Sequence, residues 1–318
     1  MSARERWLRF WFEPSSPLSL GICRVLFFGF LLVLYVPRDF AAWGRVSSVF
    51  WEPTWLFQVL RLPLLPAPAL ELLQWVWKAA LALSCVGLLT RLATGVAFIL
   101  GAYLIGLPHC FGKIHHNEAV VVLVLGILAL SRCGDAVSLD RLIRRRRDPD
   151  SRPDGPPRSG EYTWPVRMVW VVMALVFFAA GLAKLRHSGL VWVTSDNLAI
   201  MMIQNNYAKV RTDPLTMWGL VLARHGWLCR ALAGATLAVE LGYPLALVSR
   251  RARWLFVPAS CLMVVGIRLV LGPAFEQFLV CSLFWVPWDR LVGRIRPGVA
   301  SRASRAGPRV APAGGDPG

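Results

Sequence analysis

The sequence predicts an all-α, polytopic helical membrane protein of about eight transmembrane helices, with both chain ends on the cytoplasmic side. Three observations carry this. Hydrophobic residues make up 56% of the 318 and the mean hydropathy is +0.52, above the ~45–50% apolar share of soluble domains. Charged residues crowd into a few stretches and leave long apolar runs between them, which is how a bilayer partitions a chain. No stretch outside those runs is long enough to bury a core of its own, so one membrane domain is the reading.

Taken in order, residues 1–17 form a cytoplasmic N-terminal segment carrying Arg4, Arg6 and Arg9. The apolar run that follows is too long for a signal-peptide core and lacks a small-residue cleavage site, so it is read as retained. The first span covers about 18–37. A connection rich in Trp and Pro (Trp43, Trp51, Trp55, Pro53, Pro63) then leads to about residue 70, suited to the headgroup level where indoles settle. Spans two and three, about 70–89 and 92–108, are joined by a tight hinge at Thr90 and Arg91, and span four, 118–131, is short. Together 18–143 hold helices one to four. Residues 144–161, opening with four consecutive Arg, read as a solvated, poorly ordered cytoplasmic linker. Helices five to eight fill 162–293, at about 164–184, 227–248, 254–272 and 274–288, and residues 294–318 read as a disordered cytoplasmic tail.

Orientation follows from charge. The net charge of +17 resides mostly in segments that this layout puts inside the cell, and inverting the layout would place the four-Arg run and the tail outside, against the positive-inside bias. The same placement argues against nucleic acid, because the basic residues flank apolar spans instead of forming a folded basic face with interleaved aromatics. Anionic lipid is their expected company. The seven cysteines contain no CxxC and fall mainly inside apolar runs, as small buried hydrophobes do.

Polar residues worth suspecting converge on the extracytoplasmic face. The segment from Pro108 to Asn117 holds His109, Lys113, His115, His116 and Asn117 at the edge of a bilayer, where such groups must be solvated, paired or used. Snorkelling of Lys113 and capping by the histidines would also account for them. His115 and His116 have no third ligand at zinc spacing, so no metal is expected. A second stretch, from Phe177 to Arg186, sets small residues (Ala179, Ala180, Gly181, Ala183) before Lys184, with Trp192 following; the small residues admit a close helix neighbour. Lys184 alone would serve as a snorkelling anchor. The chain has 31 Arg and only four Lys, and two of those Lys sit in these stretches; arginine cannot shed its proton at useful pH, whereas a partly buried lysine can act as a base. Within the spans, Arg24, Glu71, Lys78, Arg230, Glu240 and Arg268 need partners, and Glu240 is expected to pair with Arg24, Arg230 or Arg268. Asp135 and Asp140 are expected to cap the short helix leaving the membrane after span four.

These stretches resemble the transmembrane domain shared by vitamin K-dependent gamma-carboxylases and bacterial relatives, the HTTM family. The resemblance rests on Phe111-Gly-Lys-Ile-His-His-Asn117 running into an apolar helix that closes on Asp135-Ala-Val-Ser-Leu-Asp140, on Ala179-Ala-Gly-Leu-Ala-Lys184 followed by Trp192, and on Phe284-Trp-Val-Pro-Trp288. It covers about 5–295. It implies Lys113 as the base that deprotonates vitamin K hydroquinone or a related quinol, with O2 and CO2 as co-reactants. His115, His116 and Asn117 would line the quinone pocket, and Lys184 and Trp192 would support it; Glu240 and Arg268 are supporting positions on the reading of the residues alone. Two departures stand against a full carboxylase: the chain ends soon after the last span, without the large glutamyl-binding domain, and span seven carries Arg268 where relatives commonly have a histidine. A separate substrate-binding protein is the expected remedy for the first. The expected setting is a bacterial inner (plasma) membrane, on the Arg, Ala and Pro bias. A non-catalytic module binding a lipid, an isoprenoid quinone or a partner protein fits the same residues, and a transporter fits less well because no paired broken helices are visible.

Overall fold

The computed structural model describes residues 2–112, 116–148, 156–209 and 217–295; Lys113, His115 and the side chain of His116 lie outside the described residues, as do 149–155 and the tail from 296. The described chain is all-helical, with no strand.

Local chemistry sets the helix ends. Helix α1 (Ala3–Phe12) starts in a capping box, Glu5 N–H donating to Ser2 Oγ and Ser2 N–H to Glu5 Oε2. Helix α2 (Pro17–Tyr35) is capped by Ser16 with Pro17 in its first turn. The Trp-rich connection holds two 3-10 turns and the short α3 (Trp55–Val59). Helix α4 (Ala67–Val86) stops at Gly87, whose φ of +72° suits a residue without Cβ, and α5 (Thr90–Gly106) runs on as a 3-10 turn to Phe111. Then come α6 (His116–Leu130), α7 (Leu139–Arg147), α8 (Thr163–Ser188), α9 (Val191–Thr194), α10 (Asn197–Lys209), α11 (Met217–Ala223), α12 (Gly226–Gly242), α13 (Leu245–Val248), α14 (Arg250–Val270), α15 (Glu276–Ser282) and α16 (Trp288–Ile295).

Among the described residues, five stretches are long and apolar enough to cross a bilayer: Pro17–Tyr35, Ala67–Val86, Thr90–Phe111, Gly160–Ser188 and Arg250–Val270. At 1.5 Å per residue each approaches or exceeds the ~30 Å hydrocarbon thickness. The remaining expected spans differ in form. Helix α6 has 15 residues. The 227–248 run breaks after Gly242 into α12 and α13, with Pro244 between them. The 274–288 run is a seven-residue helix and a 3-10 turn, so as helix it reaches only about half the hydrocarbon thickness. The four-Arg run, read as linker, instead continues α7 to Arg147, because Ser138 Oγ caps that helix by accepting from Arg141 N–H.

Helices α2, α4, α5 and α6 pack in sequence, and α8 links α6 to α12. Helix α15 sits among α2, α6, α8 and α14. The main core joins Phe27, Phe28, Trp77, Leu125, Met173 and Phe284, all buried. Five of the seven cysteines are buried and all are free thiols. A satellite cluster of Ala199, Met202, Cys229 and Leu271 fastens the α10–α11 hairpin over the ends of α12 and α14. The end of the bundle where α2, α5 and α8 finish is called the upper end below, and the opposite one the lower end.

At the lower end, the stretch 135–140 docks on the turn between α4 and α5. Asp140 Oδ1 accepts from Leu89 N–H and Oδ2 from Thr90 N–H, each at 2.8 Å. Asp140 therefore caps α5, not the helix it belongs to, and Asp135 accepts from Tyr162 Oη at 2.9 Å and Arg132 Nε at 3.1 Å. The expectation that both cap the helix after span four is corrected: Ser138 takes that role. Fully buried Arg24 donates to the carbonyls of Ser84 and Val137. Its charge thus rests against the Ser84 carbonyl in the last turn of α4, where the helix dipole is negative.

Candidate functional site at the upper end

The Trp-rich connection folds over the end of α5. Trp43 stacks on Phe111 at 5.1 Å, and Trp51 meets Phe111 at 5.4 Å and Phe57 at 5.8 Å. Backbone and side-chain bonds fasten the flap: Glu52 N–H donates to Cys110 O at 2.8 Å, and Tyr103 Oη donates to Pro63 O at 2.8 Å. Between flap and bundle lies an open groove of about 510 Å³, lined by Trp51, Glu52, Pro53, Thr54, Gln58, His109 and Gly112. Gly112, with φ +79°, immediately precedes Lys113.

Behind His109 stands a buried carboxylate. Glu118, in the first turn of α6, has Oε2 3.2 Å from His109 Nε2 and Oε1 2.7 Å from Arg38 Nη1. Arg38 in turn lies 4.7 Å above the Tyr35 ring, and its carbonyl accepts from Lys78 Nζ at 2.9 Å. A charge-assisted chain therefore runs from the Arg38 guanidinium through Glu118 to His109 on the groove wall, with Lys78 holding the Arg38 backbone. Its geometry holds the imidazole in place, since a carboxylate on one ring nitrogen fixes ring orientation.

Asn117 sits beneath this chain, buried, donating from Nδ2 to Gln277 Oε1 of α15 at 3.1 Å. It is absent from the groove lining, so its contact is with the bundle interior.

The second lysine is held differently from a snorkelling anchor. Lys184 Nζ pairs with both oxygens of Glu240 on α12 and lies 5.4 Å from the Trp192 ring. The small residue expected to admit a close helix does so: a Cβ on Gly181 would stand 3.0 Å from Glu240 Cβ. Trp192 Nε1 has no hydrogen-bond acceptor among the described residues. The expected Arg partner of Glu240 is thereby corrected. Arg24 is engaged at the lower end, Arg230 Nη2 lies 3.1 Å from Asp196, and Arg268 Nη1 donates to Gly272 O at 3.2 Å.

The family model described as the HTTM domain matches residues 12–275, most of the chain. The chain belongs to the HTTM-domain family. This is the transmembrane domain family of vitamin K-dependent carboxylases, and with the apolar helices it makes the chain a membrane protein. No curated protein and no solved structure matches the chain.

For this HTTM protein, sequence reasoning singled out neither Glu118 nor Arg38 nor Gln277. Glu118 carried a signal, a lone carboxylate opening an otherwise apolar helix, which in a membrane calls for a cation. That the cation is Arg38, 80 residues earlier, depends on tertiary packing. Lys184, Trp192 and Glu240 are brought together; Arg268 is not part of that cluster.

Proposed function

We propose that this HTTM protein is a multi-pass plasma-membrane enzyme, both termini cytoplasmic and about eight segments crossing or entering the bilayer, that binds a quinol in the upper-end groove. The observation that supports it is the groove itself. Its volume of about 510 Å³ has room for a bicyclic ring, Trp51 brings an indole to its lining, and Thr54, Gln58 and His109 bring polar side chains. Vitamin K hydroquinone, with O2, is the group that would supply the strong base for carboxylation by CO2, and the donor set fits it. Of this chain's residues, Lys113, which follows the groove residue Gly112 in the sequence, is the one assigned to take a quinol proton. His109, aligned by Glu118, stands on the groove wall, and His115, His116 and Asn117 belong to the same segment. Lys184, paired with Glu240, is the second lysine of the upper end. The acceptor is a glutamyl group on a separate substrate-binding protein.

The test is hydroquinone epoxidation by purified protein in detergent, comparing wild type with Lys113→Ala, Lys113→Arg and Lys184→Ala. Epoxide from wild type and from none of the Lys113 variants supports Lys113 as base. Loss confined to Lys184→Ala, in protein shown by its unfolding transition to be folded, would move the role to Lys184.

A second reading is favoured by one observation: both oxygens of Glu118 and both of Glu240 are already engaged by cations or histidine. Fixed pairs of this kind suit a non-catalytic module that binds a lipid, an isoprenoid quinone or a partner protein. Quinol binding without epoxide from folded wild type is its signature.

A further inference from the structure

Two guanidinium groups share one indole at the lower end. Arg167, in the second turn of α8, holds its Cζ 4.2 Å from the Trp170 ring centroid, and Arg253, in the first turn of α14, holds its Cζ 4.4 Å from the same centroid. Trp170 is fixed in place. Its indole stacks on Trp285 at 4.0 Å with 6° between planes, and Nε1 donates to Phe284 O at 2.9 Å. Arg253 also lies 5.1 Å from the Trp285 ring, and Arg167 lies 5.2 Å from the Phe10 ring of α1.

This arrangement leaves a surplus of positive charge. The carboxylate near Arg167 is Glu13, at 3.7 Å, a half-exposed side chain that also lies 3.8 Å from Arg9. Arg253 has no carboxylate within ion-pair distance among the described residues; its Nε donates to Ala246 O at 3.2 Å. Exposed Arg250 and Arg251 add charge of the same sign close by. Cation–π contact orients two guanidiniums but does not neutralise them. A phosphate would, because its oxygens match the planar fork of arginine. Beside the cluster, α14 exposes Trp254, Leu255 and Leu262, an apolar strip on which an acyl chain can lie.

We propose that Arg167 and Arg253, braced on Trp170, form a binding site for the phosphate of an anionic phospholipid headgroup. The guanidiniums take the phosphodiester, the Trp170–Trp285 stack fixes their spacing, and the α14 strip takes the hydrocarbon. This site is independent of the upper-end groove and of any reaction there.

The experiment is thermal unfolding of the full chain in detergent, titrated with phosphatidylglycerol, with phosphatidylcholine of the same acyl chains, or with inorganic phosphate. Phosphatidylglycerol is expected to raise Tm in wild type, while the other two do not. Arg167→Gln with Arg253→Gln should weaken the apparent affinity for phosphatidylglycerol by about tenfold or more, whereas the exposed pair Arg250→Gln with Arg251→Gln should change it by less than about threefold. Equal protection by phosphatidylcholine, or equal loss in the Arg250/Arg251 variant, would overturn the proposal, and protection by inorganic phosphate alone would overturn the assignment to a lipid. Should the double variant not fold, Arg253→Gln alone carries the same expectation, and the wild-type comparison of lipids needs no variant.

Discussion

Lys184 and Glu240, 56 residues apart, form a two-pronged ion pair between α8 and α12, with Nζ 2.6 Å from Oε1 and 2.8 Å from Oε2. The pair is possible because Gly181, one turn earlier on α8, lets α12 approach. Removing one partner strands a charge in an apolar site. Glu240→Gln should cost about 3 kcal/mol, and Lys184→Met with Glu240→Leu together should recover much of it. Thermal unfolding in detergent gives both numbers, and a double variant no better than Glu240→Gln would deny the pair its structural role.

Gly181→Val tests the close approach separately. Its branched side chain must push α12 away, so the Lys184–Glu240 distance grows and stability falls by about 1–3 kcal/mol. Gly181→Ala, meeting Glu240 Cβ at 3.0 Å, should need only a shift of a few tenths of an ångström and be far milder. A valine variant as stable as wild type would mean the helices are looser than described.

Glu118→Gln keeps the shape of the carboxylate but removes the charge that joins Arg38 to His109. Quinol binding should weaken about tenfold or more, as is common when a residue that orients a site group is changed. Arg38→Gln should act in the same direction, because it frees the same carboxylate from one partner. Equilibrium binding of a hydroquinone analogue checks both variants, and unchanged affinity in both would remove the chain from the site.

Asp140 gives a pH dependence. Burial raises its carboxyl, but the N–H groups of Thr90 and Leu89, the Thr90 hydroxyl and Arg144 outweigh that and hold it below its ordinary value. The folded state therefore binds this proton less readily than the unfolded chain does. Stability from the cap is fully present above the unfolded carboxylate value of ~3.9 and is lost as pH falls through the lower folded one. Asp140→Ala should lower stability by about 1 kcal/mol at neutral pH and flatten the acid limb of the stability curve. Unfolding midpoints between pH 3 and 7 report both effects.

Much of the fold was legible because a bilayer imposes a length on apolar runs, and the five long stretches stand out by hydropathy alone. The three shorter ones were harder. Pro244 breaks one run and Pro287 closes another, and an averaging window passes over both. The site was legible by segment and not by partner. The stretch 108–117 and the Ala-Gly-x-x-Lys element were visible as polar groups in apolar surroundings. That Glu118 answers Arg38, that Glu240 answers Lys184 and not an arginine, and that Asp140 caps a helix 50 residues earlier are facts of packing. A mean of hydropathy cannot carry them. Glu118 could have been flagged by its cost alone.

The most direct test of the central claim is photolabelling of the detergent-purified protein with an azido-substituted naphthoquinol, followed by peptide mapping. Labels concentrated on the peptides containing Trp51 to Gln58 and His109 to Asn117, displaced by excess hydroquinone, are the predicted result. Labels spread over lipid-facing helices, or left in place by competitor, would contradict a quinol site in the groove.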